Sequence, residues 1–387
     1  KLKNCTIKSC AADKFGGGIC SEGELTLDGG TIGGSLPNAN KAMLGGGICI
    51  QKNGRFTLKT ATISENKADY GGAVVVRETG SVRMESGFLT TNTVDYLGGG
   101  VYVDNSASFT MTGGEITGNT GKLGGGGAYV HEGTFTLGTG ASIKSNIAEG
   151  SNGGGVYVDT YGTLNINGGF IQSNKATQSG SAVGSGGGVY VFGNTGDKGK
   201  VIMTAGTIGG DSASDGNTAG FDGGVYRGVG GGVYSEGGTF EISSGEIKSN
   251  NANSGGGIYV KGAGATLTMS GGKISANKAV TDSSAPSGQQ GGAGGGIFID
   301  TGAKLTISGG TVGGISDAEG NSATIGGGIY MMDNGAKAEM TGGSITHNKA
   351  DGGGGVYISD YNSNPRSLFT LKDGTISYNT AKNGGGI

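Results

Sequence analysis

The chain has 387 residues and a formal net charge of −3, from 27 Lys and Arg against 30 Asp and Glu. That balance gives no basic footprint for nucleic acid, and no apolar run approaches the ~20 residues that carry a helix across a bilayer. Its 92 glycines against 3 prolines exclude collagen, and a patterned hydrophobic content of 34% argues against disorder.

From the N-terminus onward the sequence repeats. An aliphatic residue follows a glycine run at Ile19, Ile48, Val74, Val101, Ala128, Val156, Val189, Val233, Ile258, Ile297, Ile329, Val356 and Ile387. These positions span 368 residues (387 − 19) in twelve steps, about 31 per step. Self-similarity at this period marks a solenoid. The clearest unit runs from Ser254-Gly255-Gly256-Gly257 to Asn277. It reads as three strands with alternating apolar positions: Ile258-Tyr259-Val260, Leu267-Thr268-Met269 and Lys273-Ile274-Ser275. None is long enough to be stable alone.

The second strand recurs through the chain as pairs such as Phe56 and Leu58, Phe109 and Met111, Leu164 and Ile166, and Leu305 and Ile307. The residue between each pair points outward and is Thr in seven of twelve copies. The third strand brings one inward aliphatic per coil, as at Ile32, Ile116, Ile171, Ile274 and Ile376. Glycine pairs such as Gly271-Gly272 are expected to turn the chain from the second strand into the third. Triplets such as Gly255 to Gly257 are expected to close the coil. A phosphate-cradling role would need a helix after the glycines, and a strand follows every triplet.

One Asn stands at the remaining corner of each coil: Asn40, Asn66, Asn92, Asn119, Asn146, Asn174, Asn217, Asn250, Asn277, Asn321, Asn348 and Asn379. Asn tolerates left-handed backbone and bonds turn amides, and its amide can bond the Asn of the next coil. A ladder is therefore expected. Insertions at 175–185, 218–229 and 278–293 lengthen the corner after Asn, and those at 33–39, 209–216 and 313–320 the approach to it. Another, at 359–367, falls between the first and second strands. One flank should thus be rich in loops, where solenoids often carry binding.

These features predict an all-β fold, a right-handed single-stranded parallel β-helix of about 12 to 13 coils. Residues 1–387 form one continuous β-helix and read as a fragment of a longer repeat array. At ~4.8 Å per coil the rod would be about 60 Å long.

The pairing of Gly-Gly-x-Ile/Val with Ile-x-x-Asn resembles the repeats of chlamydial polymorphic membrane proteins, which are autotransporter passengers. Gly71-Gly72-Ala73-Val74 carries the first motif, and Ile63-Ser64-Glu65-Asn66 and Ile274-Ser275-Ala276-Asn277 the second, with Ile in place of Phe. The resemblance covers nearly the whole chain as a repeat type, and is shared with other bacterial surface β-helix proteins. It implies export, an extracellular or cell-surface location and a role in adhesion.

Residues suited to chemistry are few. His131 and His347 lie six coils apart in this register and cannot share a site. Asp104, His131 and Asp159 follow consecutive first strands and read as a solvated row. The acidic loops Asp211 to Asp215 and Asp317 to Glu319 lack calcium-loop patterns. No cofactor or metal is expected, and no catalytic residue is assigned. Cys20 and Cys49 occupy one slot in adjacent coils, as buried thiols or as a disulfide.

The middle of the first strand is the anomaly. From Tyr102 the slot holds Tyr129, Tyr157, Tyr190, Tyr234, Tyr259, Phe298, Tyr330 and Tyr357. Its neighbours are aliphatic, so alternation sends the column outward as a candidate aromatic interaction face. Loops covering it would give structural stacking instead. The expected function is non-enzymatic adhesion or ligand display, with a host-cell or glycan ligand as partner and no insertion of this segment into a membrane. Two alternatives stand beside it: a self-associating subunit of an extracellular filament or surface layer, and a carbohydrate-active β-helix enzyme.

Overall fold

The computed structural model describes the chain except residues 181, 223–224, 282–290, 333–334 and 360–364. The insertions at 175–185, 218–229, 278–293 and 359–367 therefore fall partly outside the described residues. The rest is a parallel β-solenoid of about 13 turns with three sheets per coil and no helix among the described residues.

The first sheet is built as the sequence predicts. Twelve short strands, from Ile19–Ser21 to Val356–Ile358, pair in parallel and in register. Ile258 and Val260 face inward and are fully buried. The second sheet differs from the expectation. Its eighteen strands take in both the second and the third predicted strand of each coil. In seven coils the two fuse into one strand, as in Ser108–Thr117 and Thr163–Gln172. The glycine pair is a kink inside this sheet, where the register slips, as between Met111 and Gly113.

The third sheet was missed by the sequence reading. It begins directly after the Asn in nine coils, with strands such as Lys67–Tyr70, Ile147–Ala148, Lys175–Ser179 and Asn251–Ala252, and continues as isolated bridges at Ser322, Lys349 and Thr380. Several are only two residues long, with a small Ala or Gly inward and a partly or fully exposed residue outward. No strand signature marks them, because their pairing comes from the coils above and below.

One continuous core fills the coil. Phe109 and Phe135 stack inside it at 5.1 Å, and Leu267, Met269 and Ile274 are at most 1% exposed. Glycines make the close stacking possible. Gly255 has φ +61°, and a Cβ there would sit 2.7 Å from the Ile258 carbonyl oxygen. Gly256 has an ordinary φ, but its Cβ would lie 2.5 Å from the Lys278 carbonyl of the next coil.

The Asn ladder runs unbroken from Asn40 to Asn379. At all eleven steps Nδ2 donates to the next Oδ1 at 2.9–3.0 Å. Asn146 also donates Nδ2 to the Ile116 carbonyl at 2.9 Å and its backbone N to Asn174 Oδ1 at 3.0 Å. Its own Oδ1 accepts from both nitrogens of Asn119. Every polar atom of the buried amide is thus paired. The left-handed residue at this corner precedes the Asn: Ser145, Ser173 and Ser249 have φ between 55 and 60°. The Asn side chain is turned in to the ladder, so its neighbour makes the turn.

Candidate functional site

The structure changes the reading of the aromatic column. The rings do stand on the outer side of the first sheet, as alternation requires, but they are not an open face. Tyr190, Tyr234, Tyr259, Phe298 and Tyr330 are each 3–8% exposed, and Tyr102, Tyr157 and Tyr357 are half-buried. The chain ahead of the glycine triplets folds over them, with Val229, Ala293 and Ile325 packed on the rings. From Tyr102 to Tyr357 each ring meets the next at 4.4–5.6 Å. Aromatic pairs of this kind contribute about 0.5–1.5 kcal/mol each beyond the area they bury.

Carboxylates of the following coil anchor several phenols. Tyr190 donates to Glu236 at 2.6 Å, Tyr259 to Asp300 at 2.8 Å, and Tyr129 to Asp159. Burial, with these neighbouring carboxylates, pushes the phenols far above the usual tyrosine range.

The row beside it is more than solvated charge. His131 Nδ1 lies 3.0 Å from Asp104 Oδ1, and Glu132 closes on the same point. Asp159, expected in the same row, is instead occupied by Tyr129 and the Thr160 amide. His347 stacks on Tyr378 and takes no part. Cys20 and Cys49 are register partners and both are free thiols, Cys20 exposed and Cys49 buried. Burial, with the nearby Cys20, raises the Cys49 thiol from 9.0 to about 12.

Two open grooves lie on the third sheet. One, about 420 Å³, is lined by Asp13, Asp69 and Asp95 with Lys41 and Lys67. An acid cluster with lysines is what a carbohydrate-active enzyme would need, but here Asp95 is held by Lys122 at 2.7 Å and by Lys67 at 3.9 Å. The Lys122 hydrogen bond keeps its carboxyl below the usual range. Among the described residues, the one group of three metal-ligating side chains within 4.8 Å is Asp104, His131 and Glu132, outside this groove.

The second groove, about 500 Å³, crosses four consecutive coils beside the insertion at 209–216. Its floor is Ile147, Lys175, Thr218 and Asn251, at the starts of four third-sheet strands. Ser145 and Ser173, the left-handed corner residues, line it together with Ala213, Ser214 and Gly216 of the loop, and Gly216 holds the same pre-Asn slot one coil on. The loop is pinned on both sides. Ser173 N donates to the Asp215 carbonyl at 2.8 Å, and Lys248 pairs with Asp211 at 2.7 Å. Inside it, Ser212 N and Oγ donate to Asp215 Oδ2 at 3.1 and 2.7 Å.

The lining suits a hydroxylated, acidic ligand. It offers the hydroxyls of Ser145, Ser173 and Ser214, one amide and the Lys175 ammonium, which makes no ion pair among the described residues. The Thr218 hydroxyl is shielded from solvent and has no protein partner. Sequence reading located the insertion but not the groove, because its floor belongs to the sheet that reading missed. No family model, curated protein or solved structure matches this chain.

Proposed function

We propose that this chain is a non-enzymatic passenger or stalk, displayed outside a bacterial cell, whose rigid rod presents loop-flank grooves for adhesion to glycans. The observation that carries the reading is the groove beside 209–216. A fixed loop and a register-locked floor give a preformed concave surface of hydroxyls with one unpaired ammonium. Preformation lowers the ordering cost of binding, and the ammonium favours a saccharide bearing a carboxylate or similar anion. The resemblance of the Gly-Gly-Ala-Val and Ile-x-x-Asn motifs to polymorphic membrane protein repeats points the same way, towards export and adhesion. The aromatic column, being covered, belongs to the scaffold in this reading.

The test is a glycan array followed by titration calorimetry on the purified chain and on a Lys175→Ala, Ser173→Ala double variant. Acidic oligosaccharides should bind the wild type, and the variant should bind at least tenfold more weakly with an unchanged circular dichroism spectrum. Absence of glycan and cell binding by the wild type, or equal binding by the variant, would overturn the proposal. Concentration-dependent fibres or sheets without ligand binding would favour a self-assembling structural subunit instead.

A further inference from the structure

We propose that Asp104, His131 and Glu132 form a site for a first-row divalent cation of the zinc type. Two adjacent coils build it. The strands Val101–Val103 and Ala128–Val130 end on Asp104 and His131, one above the other in the first sheet. Asp104 N donates to Val76 O at 3.0 Å and His131 N to Val103 O at 2.9 Å, so the ladder continues through both residues and fixes their spacing. His131 Nδ1 then stands 3.0 Å from Asp104 Oδ1. Glu132 takes left-handed backbone, φ 50°, and one ligand atom from each of the three side chains falls within 4.8 Å of the others. Tetrahedral bonds of about 2.0–2.2 Å set ligand atoms ~3.4 Å apart, so the three side chains must draw in by about an ångström on the ion.

Charge and donor type both favour a cation here. Asp104 and Glu132 pair with no Lys or Arg among the described residues, so two carboxylates face one imidazole. The neighbouring Arg77 pairs with Glu78 at 3.1 Å, and Asp159 is held by Tyr129 and Thr160. One imidazole with two carboxylates suits zinc, cobalt or nickel, whereas calcium prefers an all-oxygen cage. Three protein ligands leave the remaining positions to water, the arrangement of an open site. The side chains are only partly buried, so the ion enters from solvent. The bound ion clamps the turn after the first strand in two successive coils. This proposal uses a different corner of the coil from the glycan groove and does not depend on it.

Cobalt reports the ligand type directly. The chain should bind one Co²⁺, displaceable by Zn²⁺, with visible d–d absorption and without the near-ultraviolet thiolate charge-transfer band that Cys20 and Cys49 would produce. His131→Ala, His131→Gln and Glu132→Gln should each weaken binding at least tenfold, and His347→Ala should leave it unchanged. Zinc should raise the melting temperature of the wild type but not of His131→Gln. No binding, a thiolate band, or equal affinity in both folded His131 variants would each overturn the proposal.

Discussion

Asn146 shows how much one side chain does in this fold. Its amide bonds three other residues in the coils on either side, and all of them are fully buried. Asn146→Ala would leave the Asn119 backbone N–H without its acceptor and take one partner each from the Ile116 carbonyl, from Asn174 Oδ1 and from Asn119 Nδ2, which keeps the Leu89 carbonyl. At ~1–3 kcal/mol for each buried unsatisfied group, the loss should be about 3 kcal/mol or more. Urea unfolding checks this, with Asn379→Ala, at a half-exposed rung, expected to cost less. The ladder is legible in sequence because one residue type recurs at one slot. The left-handed corner residue is not, because that slot holds Glu65, Thr91, Ser145, Ala276 and His347 in turn. Backbone closure between ladder and sheet dictates its conformation, not its own chemistry.

Among the elements, the aromatic column is where sequence reasoning reached half the answer. Alternation placed the rings on the outer face of Ile258–Lys261 and its stacked partners. Their cover was hidden because Val229, Ala293 and Ile325 share no motif and precede the triplets at variable distance. The third sheet was hidden for a related reason: a two-residue strand carries no periodicity. Burial of the column has a measurable consequence. Folding raises six of its phenols above 10.0 and the Cys49 thiol from 9.0 to about 12. The unfolded chain therefore gives up these protons at lower pH than the folded one. The stabilisation is complete below about pH 9 and is lost progressively above about pH 10. Denaturation midpoints from pH 8 to 11.5 should be flat and then fall, with the phenolate absorbance at 295 nm of these six among the fourteen tyrosines rising only as β-structure is lost. Ionisation of all fourteen tyrosines while the circular dichroism stays native would contradict the covered column.

For the whole molecule, everything rests on identical positions stacking into straight columns. The groove beside 209–216 exists because Ile147, Lys175, Thr218 and Asn251 lie side by side, although 104 residues separate the first from the last (251 − 147). The cation site exists because Asp104 and His131, 27 residues apart, are vertical neighbours. The most direct test is a pair of electron–electron distance measurements along the outward column of the second sheet. Spin labels go on non-native side chains, so that the four cysteines stay untouched. Thr57 and Asn165 are four register steps apart, through Arg83, Thr110 and Thr136. Thr57 and Thr268 are seven, continuing through Ile202 and Glu241. At ~4.8 Å per step the separations should be about 19 and 34 Å, with narrow distributions. Distances that ignore the 4:7 ratio, or broad distributions for both pairs, would contradict the stacked solenoid and every site built on it.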